Sequence, residues 1–408
     1  MIDRVAYISM HTSPLALPGH GNAGGMNVYL DRLSKTMANR GVEVTVFTRR
    51  TTTDAAGTTE VVPGYRVVQI DAGPPDRLGV AELVPHVRGF AAGVMDWIDE
   101  RQESFDIVHS HYWLSGRTGV RLKRRLDVPL ANSFHTLGKV KDALRGAGEA
   151  ASSDERLLTE EEVIANSNCV IASTPYEFED LLEHYGASPE RLCVSPPGVD
   201  HDIFSPGSQA EARSALDFGD ERIVLYVGRI QRHKGTSRAV EALADMPERD
   251  AEGRPIVLHI VGGASGADGE AELEACQRLV ATHALSDRVR LFDPVRHPVL
   301  VDHYRSADVV IVPSRSESFG LVAAEAQACG IPVVASNTGG LPFLVNASES
   351  VLLVDDGDPR AFASAMRAIL DHPSFAERLG RGAVEFSERF SWDATATRML
   401  ELYSGISA

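Results

Sequence analysis

Short β-branched runs recur along this chain with a helical stretch between each pair, and that alternation restricts the fold more than any other feature. VAYISM is followed by VYLDRLSKTMANRG and then VEVTVFTRR, and the rhythm returns at DIVHSH, VPLANSFH and CVIASTP. Parallel strands cannot be joined by a tight turn and need a crossover, so the pattern predicts α/β structure built on parallel sheets. Pro196, Pro197 and Gly198 interrupt it, and the polar, turn-rich HDIFSPGSQAE follows. A second series then runs through RIVLYVGRI, PIVLHIVGG, RVRLFDP, DVVIVPS, PVVASN and SVLLVDD. We therefore expect two Rossmann-like, doubly wound halves over residues 1–195 and 196–390, hinged near 195–215; the length of 408 residues suits two domains. In such sheets ligands sit beyond the carboxyl ends of the strands, so functional residues should cluster just after strands, in a cleft between the halves.

Composition narrows the partners. The formal net charge of −17 argues against nucleic acid, which selects a basic face. No apolar run approaches the ~18 residues a membrane span needs. The amino terminus, MIDRVAYISM, reads as a strand and not as a secretory signal, which predicts a cytoplasmic protein. Cys169, Cys193, Cys276 and Cys329 are scattered without a C-x-x-C pair, so reduced thiols and no zinc site are expected.

PLALPGHGNAGGMNVYL contains Gly19, Gly21 and Gly24 in the spacing G-x-G-x-x-G. A dinucleotide fingerprint needs its first glycine directly after the first strand and an acid at the end of the second. Here His11 to Pro18 intervene, and Thr48, Arg49 and Arg50 stand where the acid belongs. An NADP-dependent oxidoreductase could use those arginines and is kept as an alternative of another class. The better reading is a glycine loop, turning at Gly24-Gly25 into a helix whose amino terminus favours an anion.

The second half carries the stronger signals. In VGRIQRHKG, Arg229 and Lys234 lie five apart after a strand, a guanidinium fork and an ammonium that suit a pyrophosphate. In PSRSESFGLVAAEAQACGIPVVAS, Glu317 and Glu325 are eight apart. Glu317 precedes the Ser318-Phe319-Gly320 turn, and Glu325 falls in the following helix, roughly two turns on at ~3.6 residues per turn. Gly320 admits a close ligand, Glu317 could accept sugar hydroxyls, and Glu325, among apolar neighbours, could accept ribose hydroxyls.

These constellations resemble the retaining glycosyltransferases of family 4, which have the GT-B architecture. ISMHTSPL, GGMNVY, HSHYWLSG, ESFGLVA, EAQA and GGLP (Gly339 to Pro342) look like the mycothiol-pathway branch, whose members move N-acetylglucosamine from UDP-N-acetylglucosamine to inositol 3-phosphate. The resemblance spans essentially the whole chain. It implies that Gly24 and Gly25 approach the donor phosphate while Arg229 and Lys234 hold the pyrophosphate. It packs the nucleobase near Val295 and gives the ribose to Glu325. It brings Glu317, Ser318, Phe319, Gly320 and Leu321 to the transferred sugar and phosphate, and His135 to the reaction centre. His11, Asn22, Asn27, Tyr112, Thr136 and Arg156 would face the acceptor, and residues 391–408 would cross back to the first domain. The implied substrate is a UDP- or GDP-linked sugar, with no cofactor required, no metal site, and Mg2+ admissible but not essential. The resemblance also allows a homodimer.

The chain departs from that branch at the acceptor. Tyr112, Thr136 and Arg156 match residues that bind the acceptor phosphate there together with a lysine, and Val80 occupies the lysine position. Asn22 replaces an aspartate, and TEEEVI brings extra acids. A charge-assisted hydrogen bond contributes roughly 1.5–3 kcal/mol, so phosphate affinity would fall about 10–100-fold. Either Lys139 or Lys141 substitutes, or the acceptor carries no phosphate. The second reading points to natural-product assembly on an aminocyclitol, or on a thiol such as ergothioneine with a GDP-octose, as in lincosamide pathways. A catalytically silent sugar-nucleotide sensor remains the further alternative.

Overall fold

The computed structural model describes every residue except 1, 18, 20–22, 55–56, 146–150, 266–267, 347–348, 356 and 408. The chain divides into two compact units: Met1–Ala16, Asn22–Pro197 and Trp392–Ala408 form the first, and Leu17–Gly21 and Gly198–Ser391 the second.

The first unit holds an eight-stranded sheet made of β1 (Arg4–Ile8), β2 (Glu43–Arg49), β3 (Thr58–Val62), β4 (Tyr65–Ile70), β5 (Ile107–His111), β6 (Leu130–Ser133), β7 (Cys169–Ala172) and β8 (Leu192–Val194). Its order is β3-β4-β2-β1-β5-β6-β7-β8, and only the β3–β4 pair is antiparallel. The strand order reverses direction between β1 and β5, so the loops leaving those strands diverge and open a crevice at their carboxyl ends. β5, β6 and β7 are buried throughout, as strands covered on both faces must be.

Helix Gly25–Asn39 buries Tyr29, Leu30, Leu33 and Met37, a three-to-four-residue spacing that turns one stripe to the sheet. The final helix, Trp392–Ser407, buries Trp392, Ala396, Met399 and Tyr403 in the same core, with Trp392 edge-on to Tyr29. Arg40, at the end of the first helix, grips Asp393 through Nε at 3.3 Å and Nη2 at 2.9 Å.

The second unit is a six-stranded parallel sheet ordered β11-β10-β9-β12-β13-β14, comprising β9 (Arg222–Val227), β10 (Ile256–Val261), β11 (Val289–Phe292), β12 (Val309–Val312), β13 (Val333–Ser336) and β14 (Val351–Val354). Here the switch point lies between β9 and β12. No helix among the described residues is long and apolar enough to cross a membrane.

One pair of thiols was expected to be scattered and is not: Cys169 and Cys193 stand side by side, their Cα atoms 6.3 Å apart, within disulfide reach. They lie 24 residues apart in sequence, and only the pairing of β7 with β8 makes them neighbours. Cys276 and Cys329 are free and buried.

His259, fully buried on β10, packs against Phe218 and Phe292 at 4.7 and 5.0 Å between ring centroids, and neither ring nitrogen has a partner among the described residues. Burial pushes its pKa down to about 3. A histidine depressed in the folded state takes up its proton only on unfolding, so stability is retained above the unfolded value near 6.5 and falls as pH drops from there toward 3. The loss reaches about 1.4 kcal/mol per pH unit for one such group. Urea unfolding between pH 7 and pH 5 should show declining stability, and His259→Phe should remove one histidine's share of that decline.

Candidate active site

In the second unit, Arg229, Lys234 and Glu317 among the predicted donor residues follow the two strands of the switch point. Lys234 ends a short 3-10 turn (Arg232–Lys234) in the loop after β9; Glu317 lies in the loop after β12. Lys234 Nζ stands 2.7 Å from Glu317 Oε2, and Ser314 Oγ donates to the same oxygen at 3.4 Å. Both side chains of the ion pair are partly exposed, at 23% and 17%, so a ligand can reach them. Arg229, half-buried, leaves the same strand end; its carbonyl accepts from the Tyr226 hydroxyl, which in turn accepts from Thr236.

Three residues beyond Glu317, Gly320 caps the helix Leu321–Ala328 at φ +104°, with Ser318 half-buried and Phe319 buried in the turn before it. Glu325 is 6% exposed, on that helix, and accepts a hydrogen bond from Tyr304 at 2.8 Å. Burial and the neighbouring carboxylate keep the Tyr304 phenol protonated far above its ordinary range, so it stays a donor. One Glu325 oxygen is thus tethered, which fixes the carboxylate. Val295 is half-buried against the core of this unit, in the loop after β11.

The GGLP motif has a physical role here. A Cβ at Gly339 would stand 2.1 Å from the Glu317 carbonyl oxygen, and one at Gly340 would stand 2.1 Å from that of Ser318. The Gly340 N–H donates to Glu317 O at 2.7 Å. Two residues without side chains let this segment lie directly on the turn that carries Glu317.

In the first unit the loop after β1 leads to Gly24, the cap of helix Gly25–Asn39. Asn27 differs from its expected role. It is 1% exposed, its two amide hydrogens go to Thr12 Oγ1 and Ser13 O at 2.7 and 2.5 Å, and its Oδ1 accepts from Gly24 N at 2.8 Å. Its polar group braces the glycine loop. Asn22, also expected at the acceptor, lies outside the described residues.

The other acceptor candidates converge. Arg156 Nη2 donates to Thr136 O and Oγ1 at 3.0 and 3.3 Å, its guanidinium lies 5.5 Å from the Tyr112 ring, and His11 packs on Tyr112 at 4.5 Å. Arg156 Nε is also paired at 2.8 Å with Glu160, a fully buried carboxylate that accepts from Gly138 N and the Tyr185 hydroxyl. Sequence reasoning missed Glu160, although its i,i+4 spacing from Arg156 was visible. Lys139 turns elsewhere: Nζ meets Glu161 at 2.7 Å and His184 O at 3.0 Å over the Tyr185 ring. Lys141 is exposed. Val80 opens the short helix Val80–Leu83 and packs on the core.

His135 follows β6 at φ +60°, unusual for a residue with a Cβ. Its Nε2 lies 3.0 Å from His111 Nδ1. Burial pushes its pKa down to about 4, so the ring is neutral at pH 7 and acts as a hydrogen-bonding group and not as a cation. Among the described residues no group of three or more His, Cys, Asp or Glu side chains is placed to hold a metal ion.

Residues 208–386 match the family model for glycosyl transferases group 1, and residues 24–198 match the glycosyl transferase 4-like domain. The chain is 43% identical to D-inositol 3-phosphate glycosyltransferase of Thermomonospora curvata, over 99% of this chain and 96% of that one. It is 45% identical to the protein of the same name from Xylanimonas cellulosilytica, over 98% and 96%. Among solved structures it is similar to sucrose-phosphate synthase from Thermosynechococcus elongatus, with a TM-score of 0.91 and 34% identity over 99% and 98% of the two chains. HepE of Anabaena, in complex with UDP-glucose, shares the fold, with a TM-score of 0.77 and 18% identity over 98% and 99%.

Gly340→Ala forces its methyl into the Ser318 carbonyl and should destabilise the second unit by about 1–3 kcal/mol. Hydrogen exchange should place the loosening at the amides of Phe319 to Leu321.

Proposed function

The chain belongs to the group 1 glycosyl transferases, and from that premise we propose that it moves a sugar, with retention of anomeric configuration, from a UDP- or GDP-linked donor to a small polar acceptor. The observation that carries this reading is the Lys234–Glu317 pair, set at the carboxyl ends of β9 and β12 just ahead of a capped helix amino terminus. An ammonium, the adjacent Arg229 and a helix end supply the positive potential a departing diphosphate needs, without a metal among the groups invoked. Glu317 then does two things: it orients Lys234, and its carboxylate accepts from hydroxyls of the sugar.

The chemistry follows from these roles. The anomeric C–O bond to the diphosphate breaks, and the acceptor attacks the same face. The leaving phosphate oxygen takes the acceptor's proton. The protein's contribution is position and charge: Arg229, Lys234 and the amides of Ser318 to Leu321 on the diphosphate, Glu325 on the ribose, Val295 beside the base, and His135 near the sugar. Gly24 and Gly25 give backbone access to the phosphate. Tyr112, Thr136, Arg156 and His11 hold the acceptor.

The acceptor of the named relatives' type is an inositol phosphate. A phosphate-free polar acceptor is the second reading, and a specific observation favours it. Arg156 is already matched by the buried Glu160, Lys139 is held by Glu161, and Val80 brings no charge. That cluster is close to neutral and offers a dianion little.

Incubation with UDP- and GDP-sugars, followed by mass spectrometry and NMR of the anomeric proton, tests the activity; an inverted product would overturn retention. Lys234→Ala should lower kcat/KM by about 10²–10³, and Glu325→Ala should weaken nucleotide binding in calorimetry while the fold survives. Unaltered affinity in both variants removes these roles. Val80→Lys should raise kcat/KM for inositol 3-phosphate relative to myo-inositol by about 10–100-fold. A wild-type enzyme that already prefers the phosphorylated form would sink the second reading.

A further inference from the structure

The first unit contains a column of three imidazoles. His109 and His111 both lie on β5, two residues apart and hence on one face; their rings stand 4.1 Å apart. His111 pairs in register with Ser133 of β6, and His135 follows two residues later. The His111 and His135 rings lie nearly parallel and side by side, 5.3 Å between centroids and 24° between planes. His109 is satisfied at both nitrogens, by the Tyr403 hydroxyl at 2.6 Å and Ser133 Oγ at 3.0 Å. Tyr7 packs edge-on against His111 at 5.3 Å, so the His111 ring is flanked by those of Tyr7, His109 and His135.

Burial depresses the pKa of all three, and each is a neutral imidazole with one proton at pH 7. The 3.0 Å bond between His111 Nδ1 and His135 Nε2 therefore needs one N–H and one lone pair. The far nitrogen of His111 decides which is which. His111 is fully buried, and its Nε2 has no partner among the described residues. A proton there would be an orphaned buried donor, the rarest kind of unsatisfied group; a lone pair there is better tolerated.

We infer that His111 is a positioning residue: it carries its proton on Nδ1, donates it to His135 Nε2, and so holds His135 as the Nδ1–H tautomer. His135 then carries its N–H on Nδ1. This deepens the proposed function and rests on it only for the claim that His135 serves the transfer reaction. In that role the N–H acts as a hydrogen-bond donor toward a sugar hydroxyl or a phosphate oxygen.

The test begins with the wild-type enzyme. Nitrogen-15 NMR of the full chain labelled at histidine, with the His135 signals assigned by their loss in His135→Ala, should show His135 protonated at Nδ1 and bare at Nε2 above pH 6.5. Two variants extend it. His111→Asn places an amide N–H close to where Nδ1 stood, and His111→Phe fills the space without a donor. The tautomer should persist in H111N and become a mixture in H111F. In H111F kcat should fall roughly tenfold or more, with KM for the donor little changed, and H111N should recover most of the loss. A purely structural role would lower thermal stability in both variants without moving the tautomer. A wild-type spectrum with His135 protonated at Nε2 overturns the inference whatever the enzyme does. A correct tautomer together with unaltered turnover in H111F leaves the tautomer assignment standing and removes His135 from the reaction.

Discussion

A parallel sheet wound in both directions has one place where adjacent strands send their connections to opposite faces, and in the second unit of this protein that place gathers charged side chains. In the second unit that place lies between β9 and β12, and it is spanned by the Lys234–Glu317 ion pair. The pair ties the two diverging loops together, and it also determines the orientation of both side chains. The turn carrying Glu317 is in turn held by Gly339 and Gly340, which lie close enough to its backbone that no Cβ fits. A cation and a carboxylate, each partly open to solvent, are thereby kept at a fixed separation on rigid supports. Preorganisation of this kind lets charged groups act without rearranging during the reaction.

Charge is handled locally in a chain whose net charge is −17. Lys234 and Arg156 each pair with a carboxylate, and Glu325 is held by a protonated tyrosine. The two pairs differ in consequence. Glu317 is partly exposed to solvent, whereas Glu160 is fully buried with hydrogen bonds from Gly138 and Tyr185 as well. A buried, fully bonded carboxylate does not leave its arginine, so Arg156 has less charge to offer an anion than its sequence position suggests. His109, His111 and His135 are treated oppositely: burial depresses their pKa and leaves them neutral at pH 7.

Much of the fold was legible because strand and crossover lengths leave their mark in the sequence. The break at Pro196-Pro197-Gly198 lies at the division between the units, where Pro197 ends one segment and Gly198 begins the next. The hairpin β3–β4 was overlooked although TTEVV and YRVVQI flank Pro63-Gly64, a plain turn signal, and β8 is only three residues long. Gly24, Arg229, Lys234, Glu317 and Glu325 stood out in the sequence because each follows a strand end in a segment that carries glycine, and the structure brings Lys234 and Glu317 together. The bracing role of Asn27 was not legible because nothing in its neighbours tells that Thr12 and Ser13 take up its amide.

The residue order by itself determined the element types, the two-unit organisation and the glycines and charged residues that follow the strands, since each depends on local spacing and side-chain chemistry. Only the tertiary structure decided which groups meet. It paired Lys234 with Glu317 across 83 positions, Tyr304 with Glu325, and His109 with Tyr403 across 294, and it brought Cys169 to Cys193. Such partners are set by sheet order and by where the last helix docks, and pairings between distant segments have no periodicity for a sequence to display.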